Sequence, residues 1–302
     1  MRNADETAFI QAIGVNSMTY VRPFTAAHYP LFDRMKAAGM DFCELLVPEE
    51  AELDPLEAGR AATQAGLSLV FAARVNPQRD LASNDSAVHR AGVAYLRRCV
   101  DLAVAAGVKI IGGPLFGSPL VFAGRAPAPI SESGRLARIE RVVAGLKEAG
   151  DYAAQSGVQF AIEPLNRFET DFCNTAQQAV ELAARVASPG VKLMLDTFHM
   201  NMEEDNIGWA IRRSASYLIH FQANENHRGY LGTGHVDWAE VCHALAELDY
   251  RGPITLEPFR RTDTRLSLPL AQWRPPSYDE DLDLKHSGAF LRAALHAARR
   301  VV

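Results

Sequence analysis

The chain has 302 residues, 48% of them apolar and 22% charged, a globular composition that excludes a disordered or collagen-like polymer. Its 31 basic residues against 36 acidic ones leave a formal charge of −5, the wrong sign for a nucleic-acid binder, which needs a basic excess. No apolar run reaches the ~20 residues a membrane-spanning helix needs, so neither nucleic acid nor membrane is an expected partner.

The opening run MRNADETAFIQ carries acids and lacks an apolar core, so it does not read as a secretory signal. Cys43, Cys99, Cys173 and Cys242 are scattered without a CxxC pair, which suits free thiols in the cytoplasm. Short β-type runs then alternate with amphipathic, Ala-rich stretches. The first run, 12–15, precedes a helical pattern at 31–38. Next come 42–47 with 56–65, 67–73 with 86–106, and 108–112 with 131–156. The second half continues with 159–164 and 175–187, then 192–196 and 207–214, then 217–222 and 238–248. The run 254–257 and a helix at 280–299 end the series.

The β-type runs are apolar almost throughout rather than alternating, as expected of strands covered on both faces. Several helical stretches end in a small residue plus glycine before the next run, at Gly39, Gly66, Gly107, Gly157 and Gly190, and more loosely at Gly252. Glycine just past a helix end adopts the left-handed conformation cheaply. Eight strict alternations predict a parallel sheet closed into a (β/α)8 TIM barrel, as one domain over 1–302. An open doubly wound sheet would carry GxGxxG after its first strand, where this chain reads GVNSMTY.

Active sites of such barrels lie at the C-terminal ends of the strands. Four predicted strands end in polar groups: Glu163 in AIEP, Asp196 in LMLD, Gln222 in LIHFQ and Glu257 in TLEP. Each follows an apolar run, where burial is costly unless something pairs the group. Three carboxylates and an amide oxygen converging on one mouth would repel, and one divalent cation relieves that. Oxygen donors suit Mn2+ or Mg2+ rather than a thiolate-seeking ion. Asn166, Arg167, Glu169, His199 and Arg228 lie in the segments that follow these ends. The glycine-rich GYLGTGH at 229–235 reads as a flexible pocket wall rather than a phosphate cradle.

The motifs AIEPLNRFET (161–170), LMLDTFHMNMEE (193–204), HFQANENHRG (220–229) and ITLEPF (254–259) resemble those of ketose 3-epimerases of the D-tagatose and D-psicose type, within the xylose isomerase-like barrels. The resemblance implies a metal held by Glu163, Asp196, Gln222 and Glu257, with Glu163 and Glu257 as the acid/base pair. It implies that Glu169, His199 and Arg228 grip the O1/O2 end of a free ketose, and that Trp273 belongs to a segment covering the site. It implies one Mn2+ per chain, with Mg2+ or Co2+ able to substitute, and a homodimer or homotetramer. One position departs from the pattern: the family reads His-x-His-x-x-Glu, and here Gln222 stands at the second, metal-binding histidine. Glutamine keeps the charge and offers a carbonyl oxygen, and barrels resembling hydroxypyruvate isomerase use it there. His220, two residues earlier on the same strand, is then a reserve ligand one layer deeper. The expected reaction is C3 epimerisation of a ketose through an enediolate. The alternatives are aldose–ketose isomerisation of the hydroxypyruvate isomerase kind, and a lyase acting on a 3-oxo sugar or glycoside.

Overall fold

The computed structural model describes residues 11–47, 53–117, 129–259, 262–274 and 279–302. The first half of the barrel is built from β1 (Ile13–Asn16), α1 (Leu31–Ala37), β2 (Phe42–Leu46) and α2 (Pro55–Gln64). β3 (Ser68–Ala72), α3 (Ser86–Ala106), β4 (Ile110–Gly113) and α4 (Glu132–Gln155) complete that half. The second half begins with β5 (Gln159–Ile162), α5 (Ala176–Val186), β6 (Val191–Asp196) and two short helices, α6 (Thr197–Glu203) and α7 (Ile207–Arg213). It ends with β7 (Leu218–Gln222), α8 (Trp238–Glu247), β8 (Ile254–Leu256), α9 (Thr264–Ser267) and α10 (Glu280–Arg299). All neighbouring strands pair in parallel, and β1 pairs with both β2 and β8, so the barrel is closed. Every element expected from the sequence is present, with ends shifted by a residue or two, and the (β/α)8 architecture follows. No helix among the described residues is long and apolar enough to cross a membrane.

Local chemistry sets the helix starts. Asp85 and Asp237 cap α3 and α8 by accepting backbone N–H bonds, and Thr175 and Gln178 form a reciprocal capping box at α5. Two of the glycine joins have a different cause from the one expected. Gly190 and Gly252 do not have positive φ; Ala187 and Asp249 take the left-handed turns after α5 and α8. Gly190 is required instead by close approach, because a Cβ there would collide with the carbonyl of Gly150 on α4. The ends of the chain are tied by Arg292 on α10, which donates to the carbonyls of Gln11 (2.7 Å) and Gly39 (3.0 Å) and to Asp41 (2.8 Å).

Candidate active site

The strand ends open into a cavity of about 230 Å3, a volume suited to a small molecule rather than a polymer. Its floor is a polar layer inside the barrel. Glu44 of β2 reaches across the lumen to β7, where its Oε2 lies 2.9 Å from Nε2 of His220. Gln222, one pleat further along β7, donates from Nε2 to Glu44 Oε1 (3.0 Å) and to Glu257 Oε1 (2.9 Å). Side chains two apart on a strand share a face, which is why His220 and Gln222 form successive layers. Asn16, at the end of β1, donates to Glu257 Oε1 at 2.7 Å.

Glu163 follows β5, and Asp196 ends β6; both are buried. Asp196 also caps α6, its Oδ1 accepting from the N–H of Phe198 at 2.8 Å and from Asn224 Nδ2 at 2.9 Å. This dual position explains why α6 was not expected: the strand passes into the helix with no intervening turn residues. One turn along, His199 points back, with Nε2 at 3.5 Å from Glu163 and 3.6 Å from Asp196. Single ligand atoms of Glu163, Asp196 and His199 lie within 4.8 Å of one another, a group able to hold a metal ion. The histidine suits a second role better. Its Nδ1 accepts the backbone N–H of Asn166 (3.2 Å), so the neutral ring carries its proton on Nε2 and aims a donor, not a lone pair, at the carboxylates.

Arg228 fills the middle of the site. Its Nη1 lies 2.9 Å from Asp196 Oδ2 and 3.0 Å from Glu257 Oε2. Its guanidinium stacks on Phe198, 4.0 Å from the ring centroid, and faces Phe259 at 5.1 Å. Among the described residues, this guanidinium acts on the buried carboxylates of Asp196, Glu257 and Glu163, so that group, fully ionised, keeps an excess of negative charge. Burial holds the Glu257 carboxyl well above the usual carboxylate range, partly opposed by Arg228 and reinforced by Glu44, Asp196 and Glu163. Burial also raises Glu163, against the pull of His199.

The donor chemistry suits a divalent cation, which would take over the place between Asp196 and Glu257 that the Arg228 guanidinium holds. Among the described residues, Gln222 Oε1 is buried and accepts no hydrogen bond, and Asp196 Oδ2 meets only the ion pair with Arg228 and the edge of His199. Two such oxygens among carboxylates make a hard donor set. Among the remaining expected residues, Glu169 lines the cavity and accepts from Asn166 Nδ2 at 2.8 Å. Trp273 does not line it. That indole is 75% exposed, and Leu270, Ala271 and Gln272 form the wall instead. Arg167 is drawn outward to Glu203. His220 is committed to Glu44 in the deeper layer. Glu44 and Asn16 were not singled out from the sequence, although Glu44 interrupts the apolar run FCELLV just as the later strand-end carboxylates do.

A model of the xylose isomerase-like TIM barrel family matches residues 32–293. A D-psicose 3-epimerase of Agrobacterium fabrum is 30% identical over 93% of this chain and 98% of that one. Two solved structures superpose closely. An L-ribulose 3-epimerase has a TM-score of 0.88 at 29% identity, covering 97% of both chains. A D-allulose 3-epimerase of Methylomonas sp. in complex with D-allulose has a TM-score of 0.84 at 29% identity, covering 94% of this chain and 97% of that one. The polar mouth of this barrel and these likenesses agree, and the chain belongs to the xylose isomerase-like TIM barrel family, as an isomerase whose relatives are ketose 3-epimerases.

Proposed function

We propose that this chain inverts C3 of a free ketose, using one divalent cation, Mn2+ first with Mg2+ or Co2+ as substitutes. The observation that carries the reading is the pair Glu163 and Glu257, which come from β5 and β8 and line one small cavity. Two carboxylates on different walls let one group take the C3 proton from one face while the other returns a proton to the opposite face. Burial raises the affinity of both for protons, which suits them to that exchange. Glu163, Asp196, Gln222 and Glu257 would hold the cation, which supplies electrophilic stabilisation of negative charge on the sugar oxygens.

The other residues orient and shield. His199 presents its Nε2–H, and Arg228 its guanidinium, to oxygens at the carbonyl end of the sugar, while Glu169 accepts from a hydroxyl. Phe198 and Phe259 exclude water from the arginine's faces and keep its charge effective. An unphosphorylated substrate is favoured because the glycine-rich segment is already engaged: the Gly232 N–H donates to the buried carboxylate of Glu225 at 2.7 Å. That carboxylate stands where a phosphate would be expected to accept. Arg260 and Arg261, the other candidate phosphate contacts, lie outside the described residues. The four buried, unpaired cysteines support a cytoplasmic setting, and a homodimer or homotetramer belongs to the same proposal.

The test is incubation of the Mn2+-loaded protein with a panel of free ketoses in D2O, read by NMR. Deuterium at C3 with inversion there is the expected result, and Glu257→Gln should slow it by about 10^2–10^4-fold. Deuterium on C1 or C2 with aldose formation would instead establish the isomerase reading that Gln222 favours. A 3-oxo glycoside added to the panel tests the lyase, which loss of its glycosidic substituent would establish.

A further inference from the structure

We propose that Glu44 is a positioning residue for Gln222, fixing its amide so that the carbonyl oxygen, and not the NH2 group, faces the cation site. The inference rests on the metal-dependent reading above and concerns how a glutamine can serve there. The two ends of a carboxamide have nearly the same shape and opposite polarity. A ligand glutamine therefore needs something that tells one end from the other.

The barrel interior supplies it. The NH2 group of Gln222 lies between two carboxylate oxygens, Glu44 Oε1 at 3.0 Å and Glu257 Oε1 at 2.9 Å, which together take both of its protons. Turning the amide over would press its oxygen against both carboxylates and lose both of these hydrogen bonds, a costly arrangement. The oxygen is thereby left buried and unpartnered, available as a donor.

The two anchors are not equivalent. Glu257 is itself a candidate cation ligand and acid/base group. Glu44 is only 1% exposed and is held from below by His220 at 2.9 Å, so it is the anchor that stands outside the reacting set. A carboxylate accepting from a ligand's far side also makes that ligand a stronger donor, as carboxylates do behind metal-bound histidines.

A double-mutant cycle on Mn2+ affinity tests the assignment, with free Mn2+ measured by electron paramagnetic resonance. Glu44→Gln, close to isosteric, should weaken binding by about ten- to a hundredfold in the otherwise unaltered chain. In a Gln222→Ala background the same change should cost less than about twofold, the scatter expected of uncoupled sites. Equal losses in the two backgrounds, or no loss in the first, would overturn the proposal. The unaltered chain gives a second readout that does not depend on Glu44→Gln folding. Its Gln222 side-chain NH2 should appear in a 1H–15N spectrum as a slowly exchanging pair, identified by its disappearance in Gln222→Ala. Rapid exchange of that pair with solvent overturns the proposal. Failure of the unaltered chain to bind Mn2+ at all overturns the metal reading and the amide's role as a donor. The protected NH2 pair would then still be visible, which separates the two failures.

Discussion

Replacing Arg228 by methionine keeps most of the side-chain volume and removes the guanidinium that, among the described residues, pairs with both Asp196 and Glu257. Arg228 is 5% exposed, so its loss leaves two buried carboxylates without their shared cation, and breaking such a pair costs about 3–5 kcal/mol. With an unfolding entropy of about 2.1 cal/mol/K per residue, a chain of this length has about 0.6 kcal/mol/K in total, so Tm should fall by about 5–8 °C. The sign with pH follows from Glu257, whose carboxyl burial already holds above its usual range. A carboxyl with a raised folded-state pKa destabilises the fold when ionised, so the penalty is present above that pKa and fades as pH falls through it. Differential scanning calorimetry in chelator and in Mn2+, at pH 8 and pH 5, reads the result. The loss should be largest in chelator at pH 8, and smaller with Mn2+ or at pH 5. An equal loss under all four conditions would refute the charge argument and assign the effect to lost packing against Phe198 and Phe259.

Two further predictions concern protons and thiols. Because burial raises the carboxyls of Glu163 and Glu257, protons should compete with the cation, and Mn2+ affinity by titration calorimetry should fall steadily from pH 8 to pH 5; a flat profile would remove these carboxylates from the ligand set. Burial pushes the thiols of Cys99 and Cys242 up to about 12 and raises Cys43 and Cys173 as well. Iodoacetamide at pH 8 should therefore leave the native protein's mass unchanged and label all four after denaturation, whereas rapid native labelling would contradict the burial.

The barrel was legible in the sequence because its strands are unbroken apolar runs, and because Gly39, Gly66, Gly107 and Gly157 do adopt left-handed turns. Gly190 and Gly252 gave the same signal for steric reasons that only packing reveals. The acidic strand ends of the second half were readable by the mismatch of a carboxylate in an apolar run. The same mismatch marks Glu44, but it lies in the middle of β2 rather than at a strand end, where active-site groups are expected. The motif resemblance brought Arg228 to the site, but its pairing with Asp196 and Glu257 was not readable from the sequence. Its backbone takes φ +55°, and its position follows from two aromatic rings contributed by different parts of the chain, after β6 and after β8. The segment before Trp273 does reach the site, through Leu270, Ala271 and Gln272, while the indole itself faces solvent.

Asp196 has its two oxygens on different duties: Oδ1 starts a helix and secures Asn224, while Oδ2 faces the arginine and the histidine. The geometry around a sugar in this barrel is thus pinned to the backbone by a single short side chain with no slack. A longer acid at that position would release the first turn of α6 and swing His199 away with it. Adaptation of this scaffold to a new sugar is therefore confined to the apolar part of the wall, at residues such as Met18 and Leu46, where shape can change without disturbing the reacting end.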